Sequence, residues 1–209
     1  MTNLLIKKDK KDTHTNTSTC AKALVETLTE LGIDSIFGYP GAAVLSIYDE
    51  LSKVNNIKHY LVRHEQAAVH AAEGYARVNG KPGTVLVTSG PGFTNTITGI
   101  ANAYADSTPL VVLAGDVPLS NTKGKIFQKV DIISLTKSCS KKNYLVSSKD
   151  DIKQILKEAF EIISSFHYIE SVWIYAIKRS YFLFLTSLFN SYSKFRASIG
   201  VISNGLIAF

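Results

Sequence analysis

The stretch Gly83–Gly92 reads GTVLVTSGPG, and its three parts predict three successive structures. Thr84–Thr88 is a run of aliphatic and β-branched residues, typical of a strand buried on both faces. Ser89–Gly92 predicts a tight turn, because glycine accepts positive φ angles and proline fixes φ. Helical spacing then follows from Phe93 to Ser107. A strand, a glycine turn and a helix N-terminus predict a ligand site without identifying the ligand.

Strands and helices alternate on both sides of this stretch. The predicted helices are Cys20–Leu31, Ala42–Val54, His64–Val78 and Asp150–Ser164, and the predicted strands are Ile33–Phe37, Ile57–Val62, Leu110–Ala114 and Tyr144–Val146. Such alternation with short connections predicts an α/β fold with a mainly parallel sheet and helices on both faces. Glycines follow the predicted strands Ile33–Phe37, Thr84–Thr88 and Leu110–Ala114, so we expect the site at the carboxyl edge of the sheet.

Composition limits the function classes. The chain has 209 residues, 45% of them hydrophobic and 19% charged, which is typical of a globular domain. The formal net charge is +6, but the lysines are not interleaved with aromatic residues, so we predict no nucleic-acid partner. Cys20 and Cys139 form no CxxC pattern, so we predict no metal site and a reducing, cytoplasmic compartment.

The two ends of the chain differ from its middle. Residues 1–18 read as a disordered leader without a secretory signal. Residues 166–209 contain 11 of the 21 aromatic residues and only one acidic residue, Glu170. Ser171–Asn190 is apolar, but Lys178 and Arg179 in its centre would be costly in a bilayer, so we predict no membrane span. We expect one domain at 19–165, followed by an atypical tail that is out of frame or unstructured.

Five motifs occur in one order along the predicted domain. They are FGYPG (Phe37–Gly41), RHEQAA (Arg63–Ala68), GYAR (Gly74–Arg77), TSGPG with Asn95 (Thr88–Gly92) and DSTP (Asp106–Pro109). Together they closely resemble the N-terminal pyrimidine-binding domain of thiamine-diphosphate-dependent enzymes. Within that family the resemblance is closest to the large catalytic subunit of acetolactate synthases. It covers about residues 19–165, and it implies the thiamine-diphosphate-binding fold.

The resemblance also implies roles for individual residues. In this family a glutamate hydrogen-bonds N1′ of the cofactor's aminopyrimidine and favours its imino tautomer, and Glu65 stands at that position. The implied catalytic residues are Glu65, Gln128 and Gly41, and the implied cofactor contacts are Tyr39, Pro40, Glu65, Thr88, Pro91 and Asn95. Without the resemblance, Glu65 reads as a surface helix residue paired with Arg63 or a lysine. Gln128 likewise reads as an ordinary surface helix position.

Two positions depart from the family pattern. Ala42 stands where the family usually has a second glycine, which puts the geometry of this loop in question. Asp116 replaces the glutamine of the family's GQVP motif and adds a charge near the substrate side.

The implied reaction condenses two pyruvates, or pyruvate and 2-oxobutyrate, with decarboxylation, in branched-chain amino-acid biosynthesis. The implied cofactor is thiamine diphosphate, and the implied partners are a 2-oxoacid substrate, a second copy across the pyrimidine-domain face, and in some members a small regulatory subunit. Mg²⁺ and FAD belong to the full-length family enzyme, but the Gly-Asp-Gly motif of its diphosphate-binding domain is absent from this sequence. We therefore expect this chain alone to be inactive.

Three interpretations remain open at this point. The chain is the front part of an acetolactate synthase from a frameshifted gene, a natural split subunit of a thiamine-diphosphate decarboxylase or oxidase, or a non-catalytic dimerisation module. A downstream frame that encodes Gly-Asp-Gly would favour the first, and a neighbouring gene for a diphosphate-binding subunit the second. Dimers that form without cofactor and are unaffected by Glu65→Gln would favour the third.

Overall fold

The computed structural model describes residues 19–117, 126–146, 148–164, 175–178 and 181–184. Its helices are α1 (Cys20–Glu30), α2 (Leu45–Leu51), α3 (Glu65–Asn79), α4 (Pro91–Thr94), α5 (Ile97–Ala105), α6 (Ile132–Thr136) and α7 (Lys149–Ser164). Its strands are β1 (Ser35–Gly38), β2 (Lys58–Leu61), β3 (Gly83–Val87), β4 (Leu110–Ala114), β5 (Leu145–Val146), β6 (Tyr175–Lys178) and β7 (Tyr181–Phe184).

The central sheet has the strand order β2-β1-β3-β4, and every pair in it is parallel. Phe37 of β1 pairs with Val85 of β3, which in turn pairs with Val112 of β4. Because all four strands run the same way, their carboxyl ends meet at one edge. This confirms the predicted parallel α/β fold, and the edge is the one at which the site is expected.

Helices cover both faces of the sheet, as predicted. Alternate residues of β3 separate the two cores: Leu86 packs in a cluster with α1, α2 and α7, whereas Val85 and Val87 pack with α3 and α5. The side chains of β3 and β4 are buried throughout both strands. Burial on both faces explains why these strands are continuous apolar runs and not alternating ones.

Several helix ends follow their sequence signals. Thr19 caps α1 by accepting the N–H of Lys22 at 3.1 Å. Gly32 follows α1 with φ of 71°, and Gly80 ends α3 with φ of 66°. Both angles lie in the left-handed region that glycine adopts without strain.

Two predicted helices are interrupted. The helix predicted at Ala42–Val54 is a 3-10 turn at Ala42–Val44 followed by α2, because Gly41 provides no side-chain cap for the first turn. The helix predicted from Phe93 to Ser107 is divided into α4 and α5. Thr96 Oγ1 donates to Phe93 O at 2.6 Å, and such a local bond competes with regular helical bonding.

A short helix, α6, lies between β4 and β5, where the sequence predicts neither a helix nor a strand. Asp131 caps α6 by accepting the N–H of Ser134 at 3.1 Å. Its five residues are too few to show a helical period in the sequence, so only this cap could have indicated it.

Eight residues of the predicted tail form strands. β6 pairs parallel with β5 and antiparallel with β7. The leader 1–18 and the other tail residues lie outside the described residues, so an out-of-frame tail stays a prediction. Within the described ranges, no helix is long and apolar enough to cross a membrane.

Candidate functional site

The loops after β1, β3 and β4 and the start of α3 lie at the carboxyl edge of the sheet. The loop after β1 contains Tyr39–Gly41, the loop after β3 contains Thr88–Gly90, and α3 begins at Glu65. The site is therefore assembled from segments that the parallel sheet brings together.

Glu65 is a buried carboxylate at the N-terminus of α3. Its relative exposure is 8%, and Asn95 Nδ2 donates to its Oε2 at 2.9 Å. His64 caps the helix by accepting the N–H of Gln66, so Glu65 occupies the first helical position, where the helix dipole favours a negative charge. The surface pairing that Glu65 suggested when considered alone is therefore wrong.

Gly92 allows Thr88 and Glu65 to come close together. A Cβ on Gly92 would lie 2.6 Å from Thr88 Cγ2 and 3.3 Å from Glu65 Oε1. Oε1 of Glu65 thus lies on the side of Gly92 and Thr88, whereas Oε2 accepts the hydrogen bond from Asn95.

Gly41 makes an equally close approach to Thr88 from the loop after β1. A Cβ on Gly41 would lie 2.5 Å from Thr88 Cβ and 2.6 Å from Thr88 Oγ1. The φ of Gly41 is −163°, which any residue adopts, so contact and not backbone conformation requires glycine here. The next residue, Ala42, is exposed, so the position where the family has its second glycine accommodates a methyl group.

Thr88 carries the most informative polar atom of the site. Its Oγ1 is buried and has no hydrogen-bond partner among the described residues. A buried hydroxyl without a partner costs free energy, so a bound polar group would satisfy it. This orphaned hydroxyl, the cradle formed by Gly41 and Gly92, and the Glu65 carboxylate fit a polar ring such as the aminopyrimidine of thiamine diphosphate.

Gln128 reaches this edge through its backbone. A Cβ on Gly90 would lie 2.6 Å from Gln128 O, and both residues have φ of 58°. Positive φ is uncommon for a residue other than glycine and is often found at functional sites. Gln128 therefore lies in a turn packed on the glycine loop, and the interpretation as an ordinary helix position is wrong.

Three other predicted residues lie along the same loops. Tyr39 is 41% exposed, and its N–H donates to Leu86 O at 3.3 Å. Pro40 follows it, half-buried, and Pro91 is exposed at the first position of α4.

Asp116, the second departure from the family pattern, follows β4. It is buried, and its carboxylate accepts the backbone N–H of Val117. The added charge thus contacts the backbone of the turn after β4. Within the described part of the chain, no group of three His, Cys, Asp or Glu residues could hold a metal ion.

Sequence reasoning missed two residues next to the loop of Tyr39. Tyr48 Oη on α2 lies 3.1 Å from His59 Nε2 on β2 and 3.5 Å from Leu86 O on β3. Tyr48 reads as one more apolar position of a helix, and His59 as one residue of a strand. No local pattern links them, so the sequence offered no signal for the pair.

Comparison with known proteins supports one family. The model described as "Thiamine pyrophosphate enzyme, N-terminal TPP binding domain" matches residues 18–135. The Escherichia coli protein "Acetolactate synthase isozyme 3 large subunit" is 52% identical over 145 residues, 69% of this chain and 25% of that protein. The Saccharomyces cerevisiae protein "Acetolactate synthase catalytic subunit, mitochondrial" is 46% identical over 140 residues, 67% of this chain and 20% of that protein.

A third relative shows a similar identity and coverage. The "Acetolactate synthase large subunit" of Lactococcus lactis is 50% identical over 141 residues, 67% of this chain and 24% of that protein. The chain thus spans about a quarter of the length of the curated relatives it matches.

Proposed function

Because this chain belongs to the thiamine pyrophosphate enzymes, through their N-terminal TPP binding domain, we propose that it provides the aminopyrimidine-binding part of an acetolactate synthase large subunit. The proposed reaction condenses two pyruvates, or pyruvate and 2-oxobutyrate, with loss of carbon dioxide. The observation that carries the proposal is the buried Glu65 carboxylate, held by Asn95 beside the unpartnered Thr88 hydroxyl.

Glu65 would hold a proton against the ring nitrogen N1′ of the cofactor. Asn95 donates to Oε2, which fixes the orientation of the carboxylate and places Oε1 on the side of Gly92. Burial of Glu65 keeps water from competing for this hydrogen bond, and a hydrogen bond is also stronger in a site with a low dielectric constant.

Thr88, Gly41 and Gly92 would form the wall against which the ring lies. The Thr88 hydroxyl supplies one hydrogen-bonding group, and the two glycines allow their segments to pack directly against the Thr88 side chain. Tyr39, Pro40 and Pro91 would border this wall, and Gln128 would face the 2-oxoacid. When bound, thiamine diphosphate supplies the carbon nucleophile and the electron sink for decarboxylation.

The remaining contacts of the enzyme would come from sequence outside this chain. No Gly-Asp-Gly motif occurs in the 209 residues, so we assign Mg²⁺, the diphosphate and FAD to the other three quarters of the large subunit. The chain alone would then form no acetolactate. We place the protein in the cytoplasm, because both described cysteines are free.

We also propose a homodimer across the exposed faces of α3 and α5. Ala67, Ala71 and Gly74 are exposed on α3 at the spacing of one helix face, and the space around Gly74 is open. Small residues allow a second helix to approach closely. Glu73, which is buried, accepts from Asn102 of α5 at 3.1 Å and so fixes the two helices relative to each other.

The relatives from Escherichia coli and Lactococcus lactis are named large subunits, a name that implies a smaller partner. We propose that this chain also binds a small regulatory subunit. We propose neither a split-subunit decarboxylase nor a non-catalytic module. The relatives described above are all acetolactate synthases, and the orphaned Thr88 hydroxyl indicates a ligand site and not only a surface for dimerisation.

A chimera tests the proposed function. Residues 19–164 would replace the matching first quarter of the Escherichia coli isozyme 3 large subunit, and acetolactate formation from pyruvate would be measured. We expect an active chimera, in which Glu65→Gln lowers kcat about 100-fold or more, the size typical of a lost acid–base group. Glu26→Gln is the matched control, because Glu26 is exposed on α1 and should leave kcat unchanged.

A folded chimera without acetolactate synthase activity would overturn the proposed function. Equal kcat values for Glu65→Gln and the unsubstituted chimera would overturn the role of Glu65. The purified 209-residue chain serves as the second control, and acetolactate formed by it alone would contradict the assignment of the remaining contacts to other sequence.

A further inference from the structure

We propose that Tyr48 is a positioning residue that fixes the Tyr39–Gly41 loop by holding the carbonyl oxygen of Leu86. The loop begins with the Tyr39 amide. The helix α2, which comes after the loop, carries the Tyr48 hydroxyl. Leu86 O accepts the Tyr39 N–H at 3.3 Å and lies 3.5 Å from Tyr48 Oη. One atom of β3 therefore anchors the chain on both sides of the loop. The consequence for cofactor binding rests on the proposed function, whereas the contacts do not.

Gly38 provides the space for this arrangement. A Cβ on Gly38 would lie 2.0 Å from Leu86 O and 2.9 Å from Tyr48 Oη. Gly38 also pairs with Leu86 in the register of β1 and β3. The absence of a side chain at the end of β1 thus lets the tyrosine hydroxyl reach a backbone carbonyl inside the sheet.

His59 holds the tyrosine from the other side. Its Nε2 lies 3.1 Å from Tyr48 Oη, and the two rings are 4.9 Å apart in an edge-on arrangement at 85°. A hydroxyl has a single proton, so both contacts are hydrogen bonds only if His59 donates from Nε2 and Tyr48 donates to Leu86 O. Burial raises the pKa of Tyr48 and lowers the pKa of His59, which favours the neutral forms that this assignment needs.

The loop that Tyr48 anchors contains Gly41, which packs tightly against Thr88. Gly41 lies against Thr88, with only 2.5 Å between its Cβ position and Thr88 Cβ. Gly41 O also accepts the N–H of Val44, which begins the return of the chain toward α2. Movement of the loop would therefore change the wall beside the Thr88 hydroxyl, although Tyr48 itself would not touch the cofactor.

Hydrogen exchange of the full chain without cofactor tests the proposal. In the Tyr48→Phe variant we expect the backbone amides of Tyr39 and of residues 41–44 to exchange roughly fivefold faster, the effect of losing one hydrogen bond. The amides of α5, which packs on the other face of the sheet, should be unchanged. Tyr60→Phe is the matched control, because it removes the same hydroxyl from an exposed ring on β2.

Two variants of His59 provide the second test, which does not require that Tyr48→Phe folds. His59→Gln keeps an N–H donor and should exchange at residues 39–44 as the parent does, whereas His59→Leu should match Tyr48→Phe. Unchanged exchange at residues 39–44 in Tyr48→Phe and His59→Leu would overturn the proposal. So would equal acceleration in α5, because it would indicate only a global loss of stability.

The consequence for the cofactor is measured separately. In the active chimera, Tyr48→Phe should raise the Kd of thiamine diphosphate about threefold, measured by fluorescence titration, if the loop bond is lost. An unchanged Kd would overturn the effect on the site. Because exchange is measured without cofactor, its result stands even if the chimera makes no acetolactate, so failure of this inference and failure of the proposed function are distinguishable.

Discussion

Thr88 shows how single atoms define the candidate site. Two glycines from different segments lie against its side chain, and its hydroxyl has no partner among the described residues. The backbone conformation alone does not require glycine at either position, but a methyl group there would overlap Thr88. At this scale the site is defined by the absence of two side chains and the presence of one hydroxyl.

Gly41→Ala tests this packing. We expect the free energy of unfolding to fall by about 1–3 kcal/mol, as for other overpacked sites, because the new methyl would lie 2.5 Å from Thr88 Cβ. Urea denaturation of the full chain measures the change. Thr29→Ala is the control: Thr29 is exposed on α1, away from the proposed dimer face, and alanine favours a helix, so it should stabilise by at most about 0.7 kcal/mol. Equal stability of Gly41→Ala and the parent would contradict the contact.

At the scale of elements, a polar cluster joins segments at the edge of the sheet opposite the site. Asp34, just before β1, accepts from Tyr75 of α3 at 2.6 Å and from Lys81, before β3, at 2.8 Å. These bonds connect the starts of two neighbouring strands to the helix that carries Glu65. They hold the pKa of Asp34 at about 2, mainly through Lys81 and then Tyr75.

Asp34→Asn should therefore give a pH-dependent loss of stability. A lowered pKa means that the folded state favours the carboxylate, so the stabilisation is present above the unfolded pKa of about 3.9 and is lost as pH falls toward 2. At pH 6 we expect the free energy of unfolding of Asp34→Asn to be about 1 kcal/mol below that of the parent, a small loss because the Asp34–Lys81 pair is half-exposed. This loss should become smaller below about pH 4. Urea denaturation between pH 6 and pH 3 measures it.

Asp49→Asn is the control for this experiment, because Asp49 is an exposed carboxylate on α2 that pairs with the nearby Lys53, just beyond the end of that helix. A loss of unfolding free energy in Asp34→Asn that stays constant down to pH 3 would refute the role of the ionised carboxylate.

For the molecule as a whole, the exposed faces of α3 and α5 define the proposed contact with a second copy. Glu73 lies between the two helices and bonds to Asn102 of α5, to Arg77 and, at 3.3 Å, to His70. This network gives the two helices a fixed common surface. The small residues on it make the surface flat enough for close approach of an identical one.

Ala71→Arg tests this dimer. We expect the full chain to change from dimer to monomer, measured by sedimentation at equilibrium, because a long charged side chain would separate the two α3 helices. Thr29→Arg introduces the same residue at an exposed position of α1, on the opposite face of the sheet, and should leave the dimer intact. A monomeric parent chain, or a dimeric Ala71→Arg variant, would refute the proposed face.

The sequence determined the elements of this protein and their class. Apolar runs such as Thr84–Thr88 predict buried strands, and glycines mark their ends, because these signals depend on residues close together in the chain. The order and spacing of the five motifs predicted the family, which the comparisons confirm. Where local signals compete, as at Thr96 between α4 and α5, the predicted bounds were wrong.

Only the tertiary structure decided which side chains meet. Glu65 and Asn95 are 30 residues apart, and Tyr48 and Leu86 are 38 apart, yet each pair is in contact. These contacts depend on the strand order β2-β1-β3-β4, which places the loops at one edge. A periodic pattern specifies the conformation of a segment but not its neighbours, because neighbours are fixed by packing of the complete sheet and its helices.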